Sequence, residues 1–191
     1  MSARWGDQNA GTVAFQYAPG DALVVVDVIN DFEHDDGEKL LESFRQRREG
    51  MTSALAAARE SRVPVVYVND AHGRWDGDAP AGLMRDALAS ERTGHVVGPI
   101  APNPGEAVLL KHRYSGFDHT PLDLLLGELH AKRVVLMGAA TEGCVVQTAI
   151  DAREHGLQAT IVADACATTD EALEELALRY AAEVGGVRVV R

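Results

Sequence analysis

The sequence predicts an α/β protein, a three-layer α/β/α sandwich built on a Rossmann-like six-stranded parallel sheet. Two observations carry this. Short, continuously apolar, β-branched runs recur along the chain, the pattern of strands buried on both faces. Stretches with apolar residues at helical spacing separate them, and such alternation implies parallel strands joined by right-handed helical crossovers. The 191 residues suit one domain with a large core.

Residues 1–20 carry no periodicity and read as an N-terminal arm, free to lie against a partner subunit, ahead of a single domain over 21–191. Six runs read as strands: Ala22–Asp27, Pro64–Asn69, Ala107–Lys111, Arg133–Met137, Leu157–Val162 and Val187–Val190. Between them, Glu38–Ser61, Ala81–Ser90, Pro121–His130, Glu142–His155 and Asp170–Glu183 read as helices, the fourth stopped by Gly156. Arg74–Pro80 and Gly94–Gly105 are rich in Gly and Pro and read as rim loops.

Composition narrows the function. Hydrophobic residues make up 46% and charged residues 25%, the balance of a globular domain. A net charge of -11 argues against nucleic acid and anionic membranes as partners. The two cysteines make no disulfide framework. Neither a signal-peptide core nor a membrane-length apolar run is present, so the cytoplasm is the expected location.

In a doubly wound sheet, ligands bind beyond the carboxyl ends of the strands. Asp27 ends the first strand, Lys111 the third, and Cys144 follows the fourth in Gly138-Ala-Ala-Thr-Glu-Gly-Cys144. With Thr141 as N-cap, Cys144 falls about three positions into a helix, where free N–H groups and the helix dipole favour a thiolate. A positive charge about 4 Å from a thiolate is worth ~4 kcal/mol at an effective dielectric near 20. That is enough to bring a thiol from ~8.5 to below neutrality. Asp27 opposes the effect, so the cluster either holds a thiolate or passes the thiol proton to the carboxylate. The bland readings are a packed cysteine and a carboxylate that caps its own loop.

Three segments resemble the isochorismatase-like cysteine hydrolases: Val24-Val-Val-Asp27-Val-Ile-Asn-Asp31-Phe32, Leu110-Lys111-His-Arg-Tyr-Ser115-Gly-Phe117 and Gly138–Ala152. Thr120-Pro-Leu122, Asp164-Ala-Cys-Ala167 and Tyr67-Val-Asn-Asp70 extend the resemblance, which spans about residues 20–180. It implies Asp27 as general base, Lys111 as the cation beside it and Cys144 as the nucleophile that forms a thioester. It also implies a cis peptide between Ala139 and Ala140, with the N–H groups of Ala140 and Cys144 as an oxyanion hole. Phe32, Asn69, Trp75, Tyr114 and Phe117 are candidate substrate-binding residues, with core or loop packing as the alternative. Asp70 and His72 match the start of a metal-binding set in the nicotinamidases of the family, but the later His95 fits that spacing badly, so no metal is expected. The resemblance favours a hydrolase of small amide or ureido C–N bonds. A vinyl-ether hydrolase and a non-catalytic scaffold are the alternatives. A small-molecule substrate and a homodimer or homotetramer are the partners it implies.

Overall fold

A computed structural model describes residues 15–191. Strand β1 (Asp21–Val26) is followed by α1 (Gly37–Glu60), β2 (Val65–Asp70), α2 (Ala79–Leu88) and α3 (Glu91–Val97). Then come β3 (Ala107–Lys111), α4 (Leu122–Glu128), β4 (Arg133–Gly138), α5 (Val146–Glu154), β5 (Gln158–Cys166), α6 (Glu171–Glu183) and β6 (Arg188–Val190). The six strands are parallel in the order β3-β2-β1-β4-β5-β6. The order reverses between β1 and β4, which fixes the switch point where such sheets bind ligands.

The apolar runs form strands because both faces are covered. Leu23 and Val25 of β1 enter a core shared with Phe44, Met51 and Leu55 of α1. Ala22, Val24 and Val26 enter the opposite core with Leu126 of α4, Ala149 of α5 and Leu178 of α6. Alternate side chains thus leave water on opposite faces, each large one stabilising the sheet by about 1.5–3 kcal/mol. Gly138 ends β4 at φ 126, and a Cβ there would stand 2.0 Å from the Val26 carbonyl oxygen. Only glycine lets β4 close so tightly on β1 at the switch point.

Several boundaries depart from the sequence reading. Gly94–Gly105 is not a loop throughout: α3 continues into a short 3₁₀ turn, Gly98–Ile100. Ser90 caps α3 by accepting the Thr93 N–H, and Val96, Val97 and Ile100 bury against the α1 side of the sheet. That burial outweighs the glycine and proline signals. β5 runs on to Cys166, four residues past its expected end. Thr141 is no N-cap, since the helix opens with a wide π-turn, Thr141–Val145, capped at Ala140. Within the expected arm, residues 1–14 lie outside the described residues. Phe15 and Tyr17 pack on the domain's own core, and Tyr17 donates to the Ala54 carbonyl at 3.1 Å.

Candidate active site

The chain leaves β1 through Asp27, whose φ of 49 turns the backbone out of the strand direction. Its Oδ2 lies 2.8 Å from Lys111 Nζ, at the end of β3. Its Oδ1 accepts the Asp70 N–H at 2.5 Å, fixing the carboxylate against the end of β2. Lys111 is fully buried. Its ammonium also donates to the Arg113 carbonyl at 3.0 Å and to Cys144 Sγ at 3.3 Å, with Asp70 Oδ2 at 3.9 Å. Three strand ends thus meet on one ammonium. Of those contacts, the Arg113 carbonyl and a second carboxylate, that of Asp70, were not foreseen; nothing in a lone sequence marks a carbonyl as an acceptor.

Burial dominates the electrostatics. It pushes the Cys144 thiol up to about 12, aided by the Asp27 charge and opposed by Lys111. Burial thus favours the neutral thiol over the thiolate, and so the second of the two expectations, transfer of the thiol proton to the carboxylate. Burial likewise raises Asp27, with Lys111, Cys144 and the Asp70 N–H pulling it back. Lys111 feels burial in the opposite sense, yet the charges of Asp27, Cys144 and Asp70 hold it above the ordinary lysine value. A carboxylate raised toward neutrality beside a neutral thiol is a base placed to take that proton when the sulfur reacts.

The peptide Ala139–Ala140 is cis, as the resemblance implied. The Ala140 carbonyl accepts from the N–H groups of Gly143 and Val145, passing over Cys144. Among the described residues, the Ala140 N–H itself has no acceptor.

The candidate substrate contacts divide. Trp75 is 81% exposed and stacks on the His112 ring at 3.6 Å, while Tyr114 is 71% exposed. The Tyr114 ring lies over Gly143, where a Cβ would meet it at 3.7 Å, beside the turn that carries Cys144. Phe32, Phe117 and Asn69 are instead buried. Phe32 packs edge-on against Phe44, and Phe117 stacks on His155. The Asn69 amide is engaged by both backbone groups of Ile29, at 2.8 and 3.0 Å, and so braces the loop after β1. Asp70 accepts the His72 N–H at 2.6 Å in a local turn. Among the described residues, no three His, Cys, Asp or Glu side chains cluster closely enough to hold a metal ion. Cys166 is wholly buried, with its thiol on the Val162 carbonyl.

A doubly wound sheet with cysteine, lysine and aspartate joined at its switch point defines an α/β protein with a cysteine-centred triad. The isochorismatase domain model matches residues 21–189, and the chain belongs to the isochorismatase family. It is 33% identical over 157 residues to the uncharacterized isochorismatase family protein YaaI of Bacillus subtilis, covering 82% of this chain and 86% of the relative. It is 31% identical to the ureidoacrylate amidohydrolase RutB of Cronobacter turicensis, covering 72% and 71%. Among solved structures, N-carbamoylsarcosine amidase from Thermoplasma acidophilum superposes with a TM-score of 0.62 at 33% identity, covering 90% of this chain and 95% of that one.

Proposed function

We propose that this protein is an amidohydrolase that cleaves a small amide or ureido C–N bond through a thioester on Cys144. The observation that supports this most is the ammonium of Lys111 within hydrogen-bond reach of both Asp27 and Cys144. As Cys144 Sγ bonds the substrate carbonyl carbon, its proton passes to Asp27. The carbonyl oxygen, now negative, would take the Ala140 and Cys144 N–H groups. Asp27 then gives the proton to the nitrogen as the C–N bond breaks, releasing the amine. Water attacks the thioester, gives a proton to Asp27, and the C–S bond breaks to free the acid and restore the thiol. Lys111 keeps its charge throughout and offsets the negative charge that moves between sulfur and carboxylate. Relatives named as ureidoacrylate, maleamate and N-carbamoylsarcosine enzymes support the substrate class. A panel of small amides and ureides, read by ammonia release, tests it. Turnover that Cys144→Ala abolishes supports the reading, and hydrolysis of none of them contradicts it.

The chemistry proposed runs on this chain's own side chains. Among the described residues Asp70 and His72 have no third ligand close by, and Asp70 already faces Lys111 and the His72 N–H. Dialysis against EDTA is expected to leave turnover within about twofold, since no step draws on a Lewis acid. A loss restored by zinc alone would overturn this.

We also propose a homodimer or homotetramer. Leu173, Leu176 and Tyr180 of α6 and Val184 just after it, each at least 50% exposed, recur at helical spacing as one apolar stripe. Sedimentation equilibrium is expected to give the mass of two or four chains, and Leu176→Glu to shift it toward the monomer. A monomeric wild type at micromolar concentration would sink the idea. Two free cysteines also fit a reducing compartment, the cytoplasm.

A further inference from the structure

The π-turn that carries Cys144 is held from behind by a polar chain that the proposed mechanism does not use. Thr141, its first residue, is completely buried. Its N–H donates to the Ala167 carbonyl at 2.8 Å. Its hydroxyl lies 2.8 Å from Glu174 Oε1 and 3.0 Å from the same Ala167 oxygen. One hydroxyl has one proton, and the charged, closer acceptor takes it. Glu174, on the first turn of α6, is 6% exposed and turns its other oxygen to Arg47 Nη2 at 3.0 Å. Arg47, from α1, also donates to the Ala163 carbonyl at 3.2 Å. Helices from opposite faces of the sheet are therefore linked, Arg47 through Glu174, to Thr141, the residue that follows Ala140 on the way to Cys144.

A buried carboxylate and a partly buried guanidinium are costly to desolvate, and a plain packing contact would hold the turn without them. What the chain adds is direction. Anchoring both the N–H and the hydroxyl of Thr141 fixes the path of the turn on which the two oxyanion N–H groups are set. A misplacement of about 1 Å in such a donor lowers a rate by ~10²-fold.

We propose that Thr141, Glu174 and Arg47 form a positioning relay that orients the oxyanion N–H groups of Ala140 and Cys144 without touching the substrate. The inference rests on the hydrolase reading above. It separates two reactions of the same sulfur. Acylation by p-nitrophenyl acetate puts negative charge on a carbonyl oxygen, forms the S–C bond and expels p-nitrophenolate. Alkylation by iodoacetamide displaces iodide from a saturated carbon and makes no oxyanion.

In Thr141→Val the acylation rate of Cys144 is expected to fall by about 10–100-fold. Alkylation should stay within about twofold, and Thr141→Ser should restore most of the acylation. Arg47→Gln, further from the turn and partly exposed, should shift the ratio in the same direction by a smaller factor, and it serves if Thr141→Val does not fold. Acylation unchanged in both variants, or acylation and alkylation falling in parallel, would overturn the relay. A wild type that is never acylated at Cys144 would instead sink the hydrolase reading, and the relay with it.

Discussion

Cys144→Ala is expected to abolish amide turnover, by about 10⁴-fold or more, while the protein stays folded. The thiol is the group that would form the bond to carbon, and the other cysteine is not placed to replace it. Cys166 is wholly buried, with its own thiol pushed up to about 12 by burial. The fold should tolerate the change, because Cys144 is only partly buried and alanine leaves the π-turn backbone unaltered. A thermal or urea melt should therefore move by no more than about 1 kcal/mol. Activity near that of the wild type would remove the covalent route. Loss of activity with a collapsed melt would move the effect from chemistry to stability.

Asp27→Asn is the second large effect, and it should split two properties that usually fall together. Turnover is expected to drop by about 10²–10⁴-fold, because the base proposed to take the thiol proton and return it to the leaving amine would be gone. Thiolate formation should become easier. The Asp27 charge raises the thiol and Lys111 lowers it, so neutralising Asp27 removes one of the influences that raise the thiol and keeps the ammonium that lowers it. The pH midpoint for iodoacetamide labelling of Cys144 should move down from that of the wild type. Lys111→Met reverses the sign: both the thiol and Asp27 lose a charge that lowers them, so labelling slows and the acid limb of kcat/KM moves to higher pH. Removing one partner of this buried pair carries a destabilisation of about 3–5 kcal/mol, so each variant needs its melt beside its rate. Labelling that slows in Asp27→Asn would contradict the proton path.

The strands were legible because a fully buried parallel strand leaves no polar alternation, as in Ala22–Val26 and Val134–Met137. The triad was legible for a related reason. Charged or reactive residues at the ends of such runs, Asp27 and Lys111, have few structural excuses. The missed features depend on tertiary contact. The glycine and proline around α3 read as loop signals until Val96, Val97 and Ile100 found the core. Thr141 looked like a cap because caps are local, whereas its hydroxyl reaches Glu174, 33 residues on. Arg47 and Glu174 are 127 residues apart, and no local pattern joins them. The sequence left the resting state of Cys144 open between a thiolate and a thiol that gives its proton to Asp27, because the Coulomb attraction of one lysine can be estimated from sequence, while burial of the sulfur cannot.

The covalent bond between Cys144 and the acyl carbon is the central claim, and peptide mapping of acid-quenched enzyme tests it most directly. With p-nitrophenyl acetate as acyl donor, the peptide bearing Cys144 should gain the mass of one acetyl group, and Cys144→Ala should gain none. Acetyl on Cys166 instead, or on neither cysteine while the wild type releases p-nitrophenolate, would contradict it.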